Sequence, residues 1–221
     1  MTRIRGREKL LRQFMQYKES GRILDAASLY KGRWHEVFGN DNPIHIEIGS
    51  GRGQFISTLA AQNPNINYVG IELEHLLLGK VGYKAELLGA GDNLKLSAAN
   101  AVRLDEYFAP GEVARIYLNF SDPWPKTKHA KRRLTYTSFL HMYRTVLAQG
   151  GGVHFKTDNR DLYEFSLNMF AEDDWKMSKI TFDLHNSEWA EGNIMTEYEQ
   201  KFSEMGMPIY RLEALPLPKR Q

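Results

Sequence analysis

The sequence contains no cysteine. This absence excludes disulfide frameworks, thiolate zinc sites, iron–sulfur clusters and cysteine nucleophiles. The sequence also lacks an apolar run approaching the roughly 20 residues of a membrane-spanning helix. Its basic N-terminus has no apolar segment of the kind that signal peptides contain. We therefore expect a soluble protein of the reducing cytoplasm with no membrane partner.

Other chemical signatures are missing as well. The seven histidines are scattered, and none stands at metal-ligand spacing beside carboxylates, so we expect no metal site. There is no Walker lysine and no arrangement that suggests a Ser–His–Asp triad. Of the 221 residues, 42% are hydrophobic and 12% are aromatic. This composition is typical of one folded domain rather than of a disordered chain.

Charge is distributed very unevenly along the chain. The formal net charge of +2 hides two basic segments: residues 1–33 carry nine basic and three acidic side chains, and residues 126–160 carry eight and one. Residues 34–125 and 161–221 are acidic, with net charges of −5 and −6. Segregation of this kind favours a polyanion-binding face over an evenly solvated surface.

Predicted strands alternate with helices from residue 44 onward. The alternation indicates an α/β fold, a mostly parallel sheet with helices on both faces, and the last two strands fit an antiparallel pair at its edge. We expect residues 34–221 to form this domain and residues 1–33 to form a basic, partly helical arm, which either docks or contacts RNA. The predicted strands are 44–48, 67–72, 94–98, 115–120, 153–157, 180–184 and 209–212, and the helices are 54–62, 76–88, 137–148 (ending at the glycines 150–152), 162–170 and 197–203.

A glycine-rich turn follows the first of these strands. Ligands of open α/β sheets bind beyond the carboxyl ends of the strands, and this turn reads Glu47-x-Gly49-x-Gly51-x-Gly53. A dinucleotide fingerprint would place the third glycine one residue later. The observed spacing is instead the pattern of S-adenosylmethionine-dependent methyltransferases. The cationic amino and sulfonium groups of that cofactor favour a nearby carboxylate, which gives Glu47 a role.

Three later strand ends add polar candidates. Glu72 ends the second strand, where a carboxylate can accept hydrogen bonds from both ribose hydroxyls. Asn100 follows the third strand, and its amide can pair with an adenine edge. The fourth strand leads into a loop that two prolines make rigid, which brings Asp122 to the meeting point of cofactor and second substrate. Trp124 of the same loop offers a flat face for stacking a base.

A basic run continues from this loop. Residues 126–133 hold five positive charges and no acid, so we expect them to bind phosphates. Lys156, near the end of the fifth strand, and Asp158, Asn159 and Arg160 after it lie at the same sheet edge. Residues 196–199 (TEYE) fit either a helix-capping motif or a substrate contact.

These motifs, together with residues 118–126, 131–134 and 155–159, resemble the bacterial tRNA (guanine-N7)-methyltransferases over roughly residues 34–212. The resemblance implies a class I methyltransferase (Rossmann-like) fold, with a seven-stranded, mostly parallel sheet, an antiparallel last strand and helices on both faces. It also implies transfer of the methyl group of S-adenosyl-L-methionine to N7 of guanine 46 in the tRNA variable loop, giving 7-methylguanosine, by a monomer or homodimer.

Site residues are carried over by position. The resemblance implies that Asp122 is catalytic. Contacts to the methyl donor are implied for Glu47, Gly49, Gly51, Glu72, Asn100 and Asp122. Contacts to the substrate are implied for Lys126, Asp158, Thr196, Glu197, Tyr198 and Glu199, and contacts to the RNA for Lys128, Lys131, Arg132 and Arg133. The family commonly has an aspartate at position 100, so we expect altered cofactor affinity rather than lost binding.

Three other functions compete with this one. A dinucleotide-dependent oxidoreductase needs the later third glycine and a hydride-handling residue. A non-catalytic RNA-binding module explains the basic segments but not Glu47, Glu72 and Asp122 gathered at strand ends. A methyltransferase for exocyclic amino groups usually has two adjacent prolines before the aromatic residue of the loop, whereas here only Pro123 precedes Trp124.

Overall fold

An eight-stranded sheet runs through residues 7–218, which are the residues that the computed structural model describes. In spatial order its strands are β1-β4-β3-β2-β5-β6-β8-β7, and β8 is antiparallel to both of its neighbours while the other pairs are parallel. The predicted antiparallel pair at the sheet edge is therefore confirmed. The strands are β1 (Ile23–Leu24), β2 (Ile44–Ile48), β3 (Asn67–Glu72), β4 (Leu94–Ala98), β5 (Val113–Asn119), β6 (Leu147–Thr157), β7 (Trp175–Thr181) and β8 (Tyr210–Pro216).

Helices cover both faces of the sheet, as predicted. One apolar cluster packs α2, α5, α6 and α7 against one face, and a second packs α1, α3 and α4 against the other. Within the described part of the chain, no helix is both long enough and apolar enough to span a membrane. The helices are α1 (Arg7–Glu19), α2 (Trp34–Phe38), α3 (Gln54–Gln62), α4 (His75–Leu87), α5 (Leu104–Tyr107), α6 (Thr137–Val146), α7 (Arg160–Glu172) and α8 (Glu197–Glu204).

The prediction of seven strands is wrong by one. The extra strand, β1, pairs in parallel with β4, placing Ile23 opposite Leu96 and Leu24 opposite Ser97. Its two residues are too few to produce a periodic pattern in the sequence. Ile23 is nevertheless buried in the second apolar cluster, so β1 fastens the segment after α1 to the sheet.

Two predicted boundaries also differ from the structure. The glycines 150–152 do not end a helix: α6 ends at Val146, and β6 begins at once and includes them. Gly150 has a φ of +78°, and the β5–β6 register shifts beside these glycines, so they form an irregularity within the strand. The strand predicted over 180–184 is found earlier, as β7, whose half-exposed residues give no apolar run.

Helix α1 of the predicted arm lies directly on α4. Close approach of the two helices depends on two glycines of α4. A Cβ at Gly79 would stand 2.7 Å from the backbone nitrogen of Phe14, and one at Gly82 would stand 2.5 Å from the ring of Tyr17. The Tyr17 hydroxyl also donates a hydrogen bond to Glu86 of α4. The arm residues Arg3 and Arg5 lie outside the described residues.

Candidate functional site

Two adjoining cavities open at the carboxyl ends of β2 to β5. Their volumes are about 330 and 420 Å³, and Gly49, Asn119 and Phe120 line both. The structure thus brings together most of the residues predicted at the strand ends. The smaller cavity is also lined by Glu72, Asn100, Asp122, Trp124 and Arg132, and the larger by Glu47, Gly51, Thr196, Glu197 and Tyr198.

Glu47 is a buried carboxyl group with one unsatisfied oxygen. It lies in β2, where Asn119 Nδ2 donates a hydrogen bond to its Oε1 over 2.8 Å. Its Oε2 has no hydrogen-bond partner within residues 7–218. Burial raises the pKa of Glu47 to about 7, although the Asn119 bond and the nearby Lys156 act in the opposite direction. An unpaired buried oxygen is costly unless a ligand satisfies it, so this atom suits a cationic or hydrogen-bond-donating ligand.

The glycine turn beside Glu47 leaves space for such a ligand. A Cβ at Gly49 would meet no atom within 4 Å, so its missing side chain leaves open space beside the backbone. Gly49 and Gly53 both have a positive φ, +81° and +85°, but only at Gly53 would a Cβ clash, standing 2.6 Å from Val81 of α4. The turn therefore combines an open ligand side with a tightly packed helix start.

Glu72 is held by backbone donors before any ligand arrives. Its Oε2 accepts from the amide of Gly51 (2.9 Å), and its Oε1 accepts from the amides of Leu73 (2.9 Å) and Glu74 (3.1 Å). A carboxylate offers about four acceptor positions, so one remains on Oε2. The carboxylate orientation is fixed by the same turn that forms the cavity.

Asn100 begins the 3₁₀ turn that follows β4. Its Oδ1 accepts from the backbone amide of Val102 over 3.2 Å. The backbone amide of Asn100 donates to the Tyr107 hydroxyl over 3.3 Å. The Nδ2 group makes no hydrogen bond to any residue that the structure describes and remains a free donor at the cavity edge. An aspartate at this position could form the same capping bond but could not donate.

The loop that carries Asp122 has a strained backbone. Phe120 and Trp124 have φ values of +53° and +43°, which are unusual for non-glycine residues. The amide of Phe120 donates to the carbonyl of Lys156, and Arg133 donates to the carbonyls of Pro123 and Trp124. Arg133, a predicted RNA contact, therefore points into the loop and stabilises its shape.

The other basic residues of the run lie outside this loop. A 3₁₀ helix, Thr127–Arg132, exposes their side chains, and the guanidinium carbon of Arg132 lies 4.8 Å from the Trp124 ring centroid. His129 contacts the same ring edge-on at 5.7 Å. Trp124 is thus already stacked within the protein. The exposed cations are Lys126, Lys128, Lys131 and Arg132.

The opposite wall is formed by α8. Thr196 caps this helix because its Oγ1 accepts from the amide of Glu199 over 2.9 Å. Glu197 is 3.4 Å from Lys84 of α4 and so ties the two helices. Glu199 is fully buried: its Oε2 accepts from Lys156 (2.6 Å), and its Oε1 accepts from Asn193 (2.7 Å). Two predicted substrate residues thus have carboxylates already engaged by the protein: Glu197 in a partly exposed ion pair and Glu199 in a fully buried one.

Tyr198 projects from the same helix toward the Asp122 loop. Its ring centroid lies 5.4 Å from that of Phe120, and half of its surface is exposed. Partial burial raises the pKa of Tyr198, and the carboxylates of Asp158 and Asp122 raise it further. Asp122 lines the smaller cavity together with Phe120, and Asp158 follows β6 at the same sheet edge. Neither carboxylate makes a hydrogen bond with the described residues, so the site combines an aromatic surface with two free acceptors.

Two residues of the site, Asn119 and Phe120, were not among those predicted for it, and Lys156 was predicted only to lie at this sheet edge. A sequence signal existed for Asn119 and Lys156, since both are polar side chains near the carboxyl ends of strands, where ligands of such sheets bind. Phe120 gave none, because an aromatic residue after a buried strand looks like part of that strand. Among the described residues, no group of three or more histidine, aspartate or glutamate side chains is arranged to hold a metal ion.

Comparison with known protein families agrees with this geometry. A family model described as "Putative methyltransferase" matches residues 41–212. The tRNA (guanine-N(7)-)-methyltransferase of Lachnoclostridium phytofermentans is 59% identical over 83% of this chain and 86% of its own length. That of Bacillus subtilis is 57% identical over 83% and 85%, and that of Brevibacillus brevis is 50% identical over 97% of both chains.

Solved structures resemble the fold at much lower identity. The 16S rRNA methyltransferase KamB superposes with a TM-score of 0.64 at 16% identity, covering 85% of this chain and 94% of its own. A 16S rRNA (adenine(1408)-N(1))-methyltransferase variant from Catenulisporales acidiphilia, solved with cosubstrate SAM, gives 0.59 at 12% identity, covering 86% and 92%. The predicted class I methyltransferase fold is confirmed, with one strand more than expected.

Proposed function

The chain belongs to the family of tRNA (guanine-N7)-methyltransferases, and from this premise we propose that it transfers the methyl group of S-adenosyl-L-methionine to N7 of guanine 46 in the variable loop of cytoplasmic tRNA. The observation that carries the proposal is the pair of adjoining cavities. The smaller cavity offers Glu72, Asn100 and Asp122, the larger offers Glu47, Gly51 and Tyr198, and Gly49, Asn119 and Phe120 line both.

Polar residues and glycines of both cavities fit the methyl donor. Glu47 Oε2 lacks a partner and suits a cationic amino group, and Gly49 leaves room for a chain to pass. Glu72 keeps an acceptor position for ribose hydroxyls, and Asn100 keeps a donor for an adenine nitrogen. When bound there, the sulfonium compound supplies an electrophilic methyl group.

Guanine N7 has a lone pair and carries no proton, so the chain needs no general base to activate it. The main task of its residues is to place the base, for which proximity and orientation can supply up to roughly 7–11 kcal/mol. Tyr198 and Phe120 provide an aromatic surface for the guanine ring. Asp158 provides an acceptor for the N1–H and the exocyclic amine, because its carboxylate has no partner within residues 7–218.

Asp122 has an electrostatic role in this proposal. Methylation at N7 leaves the purine ring cationic, so positive charge develops beside the loop that carries Asp122. A carboxylate fixed there before reaction stabilises that charge without reorganising. The strained backbone at Phe120 and Trp124 and the bonds from Arg133 hold the loop in place.

The exposed cations of the run contact the RNA backbone. Lys126, Lys128, Lys131 and Arg132 present four charges to solvent beside the site. If each contacts one phosphate, the logarithm of the tRNA association constant should fall by about 2.8 to 3.6 per log unit of salt. A flat salt response would remove the run from the interface.

The test uses labelled S-adenosylmethionine and an unmodified tRNA transcript. We expect one 7-methylguanosine at position 46, mapped by chain cleavage at the methylated base. A matched transcript with 7-deazaguanosine at that position has no N7 atom and should accept no label. Methylation at another atom or another position would contradict the proposal. Thermal stabilisation by NAD but not by S-adenosylmethionine would instead favour the oxidoreductase alternative.

A further inference from the structure

A single buried lysine connects the two walls of the proposed guanine site, which are the Asp122 loop (residues 120–125) and the segment that leads into α8 (residues 187–199). Lys156 lies in β6 and is 5% exposed. Its backbone carbonyl accepts from the amide of Phe120 over 2.9 Å, at the start of the Asp122 loop. Its ammonium donates to Glu199 Oε2 (2.6 Å), to the carbonyl of Ile194 (2.9 Å) and to Asn193 Oδ1 (3.1 Å). One residue therefore contacts both walls.

The segment before α8 depends on this ammonium. Among the residues that the structure describes, every hydrogen bond from residues 187–195 to the sheet ends on Lys156. Behind the segment lies a cavity of about 180 Å³, lined among others by Trp189, Asn193 and Lys156 itself. Because this cavity separates the segment from the sheet, fewer side chains pack directly between them than in a close-packed core.

The ammonium has no capacity left for substrate. A lysine has three N–H donors, and the three acceptors of Lys156 use all of them. The Phe55 ring, 5.0 Å from Nζ, covers another side. Burial lowers the pKa of Lys156, and the Glu199 carboxylate opposes this shift. The side chain is therefore enclosed by the protein rather than presented to RNA or base.

We propose that Lys156 is a positioning residue that holds the Asp122 loop and the Tyr198-bearing segment at a fixed separation, so that guanine fits between them. The inference rests on the proposed function, since it assumes that these walls enclose the base. Glu199 and Asn193 serve the same purpose by completing the hydrogen-bond network around the ammonium. Glu199 is thereby assigned to support of the site rather than to contact with the guanine edge.

A buried ion pair can also be no more than part of the folded core. Removing one partner of such a pair destabilises a protein, whereas replacing both by apolar residues is often neutral. The two roles therefore separate in a double variant. Lys156→Met with Glu199→Leu removes both charges while keeping the side-chain volumes similar. Compared with either single variant, the double variant should regain stability, because no buried charge is left unpaired. It still lacks the hydrogen bonds from Lys156 to residues 193 and 194.

The experiment compares this double variant with Lys156→Met, Lys156→Arg, Asn193→Leu and the exposed control Lys176→Met. For the double variant we expect a Tm close to that of the unaltered protein and a kcat/KM for tRNA lowered about tenfold to 100-fold, as misplacement by about 1 Å produces. Affinity for S-adenosylmethionine at pH 8.5 should change less than threefold. Hydrogen exchange in residues 187–204 should accelerate. Lys156→Arg should recover part of the lost kcat/KM, and Asn193→Leu should lose part of it.

Two results would overturn the inference: a double variant with unaltered Tm and unaltered kcat/KM, or hydrogen exchange in residues 187–204 that does not change. Failure of the proposed function looks different. In that case the unaltered protein would not methylate the tRNA transcript at N7, whereas exchange in residues 187–204 would still accelerate on loss of the ammonium. Lys176→Met should match the unaltered protein in every measurement, because its side chain is exposed on the edge strand β7.

Discussion

The carboxylates of the site fall into two groups that the protein treats differently. Glu47, Glu72 and Glu199 are held by hydrogen bonds from Asn119, from backbone amides and from Lys156, respectively. Asp122 and Asp158 have no hydrogen-bond partner within residues 7–218. The first group lies on strands or a capped helix, and the second lies on loops.

This difference follows from what each group has to do. A buried carboxylate must be paired or protonated, because desolvation penalises its charge. The protein therefore supplies partners to the buried Glu199, and backbone amides hold the half-buried Glu72. Glu47 is buried with only one of its oxygens paired, and its pKa is raised. The carboxylates of Asp122 and Asp158, which lie on two loops and have no partner among the described residues, can interact with a substrate that becomes cationic. The comparison predicts that changes in the two groups alter different measurements.

The largest effect is expected at Asp122. Asp122→Asn keeps the shape of the side chain and removes the charge that faces the methylated ring. Loss of one preorganised electrostatic group typically lowers kcat by about 100-fold or more, so we expect that loss here. Affinity for S-adenosylmethionine, measured by calorimetry, should change little. Full turnover with unchanged cofactor affinity would show that Asp122 has no electrostatic role.

A second comparison sets Asp158 against Glu199. Asp158→Asn should lower kcat/KM for tRNA by about tenfold, because one hydrogen bond to the guanine edge becomes unfavourable, while Tm stays unchanged. Glu199→Gln should instead lower the free energy of unfolding by up to about 3 kcal/mol, since it leaves the buried Lys156 charge without its partner. Denaturant titration and steady-state kinetics on both variants check the pair. Equal effects on Tm would contradict the division into two groups.

The positions of the paired carboxylates were easier to predict from the sequence than the hydrogen bonds that hold them. Glu47 and Glu72 were recognisable because they stand at strand ends beside glycines, and parallel strands align such ends at one sheet edge. The pairing of Lys156 with Glu199 spans 43 residues, and it depends on the path of residues 184–196, for which the sequence shows no periodic pattern. Thr196 to Glu199 fitted both a capping motif and a substrate contact. The structure shows the cap itself at Thr196 and Glu199.

Fold prediction failed where local patterns were short or interrupted. The two residues of β1 carry too little pattern to be recognised as a strand, and the glycines 150–152 resembled the end of a helix although they continue β6. In both places the assignment depends on a neighbouring strand, β4 or β5, which only the tertiary structure supplies. The long alternating strands and helices between residues 44 and 119 had no such dependence and were predicted closely.

The pH dependence of cofactor binding tests the incomplete pairing of Glu47. Folding raises the pKa of this carboxyl from 4.5 to about 7, so between these values it is protonated in the folded chain and ionised in the unfolded one. Stability of the ligand-free protein should therefore fall across this window by up to about 3 kcal/mol as pH rises. Affinity for the cationic cofactor should rise about tenfold from pH 6 to pH 8 as Glu47 ionises.

Glu47→Gln is the matched control for this prediction. The glutamine of the variant cannot ionise, so calorimetry should show weaker cofactor binding that does not change with pH. In chemical denaturation, the variant should lack the part of the stability loss between pH 5 and pH 8 that Glu47 causes in the unaltered protein. An unaltered pH profile in the variant would assign the dependence to another group. The same result would remove Glu47 from the set of carboxylates that respond to the ligand.

The smallest effect is expected within the basic run, where the division between paired and free groups recurs with opposite charge. Lys131 is exposed, whereas Arg133 donates to the carbonyls of Pro123 and Trp124 and its guanidinium carbon lies 4.3 Å from the Phe165 ring centroid.

Lys131→Ala should weaken tRNA binding a few-fold, reduce the salt slope by about 0.7 to 0.9 and leave kcat unchanged, because one phosphate contact is lost. Arg133→Lys should keep the charge and the salt slope but lower kcat, because lysine cannot reproduce the fork that spans two carbonyls. Filter-binding titrations from 50 to 200 mM salt with parallel single-turnover rates separate the two variants. If Arg133→Lys changed the slope and Lys131→Ala changed kcat, the exposed and the loop-bound cations would have exchanged roles, and the geometry of the Asp122 loop would not depend on Arg133.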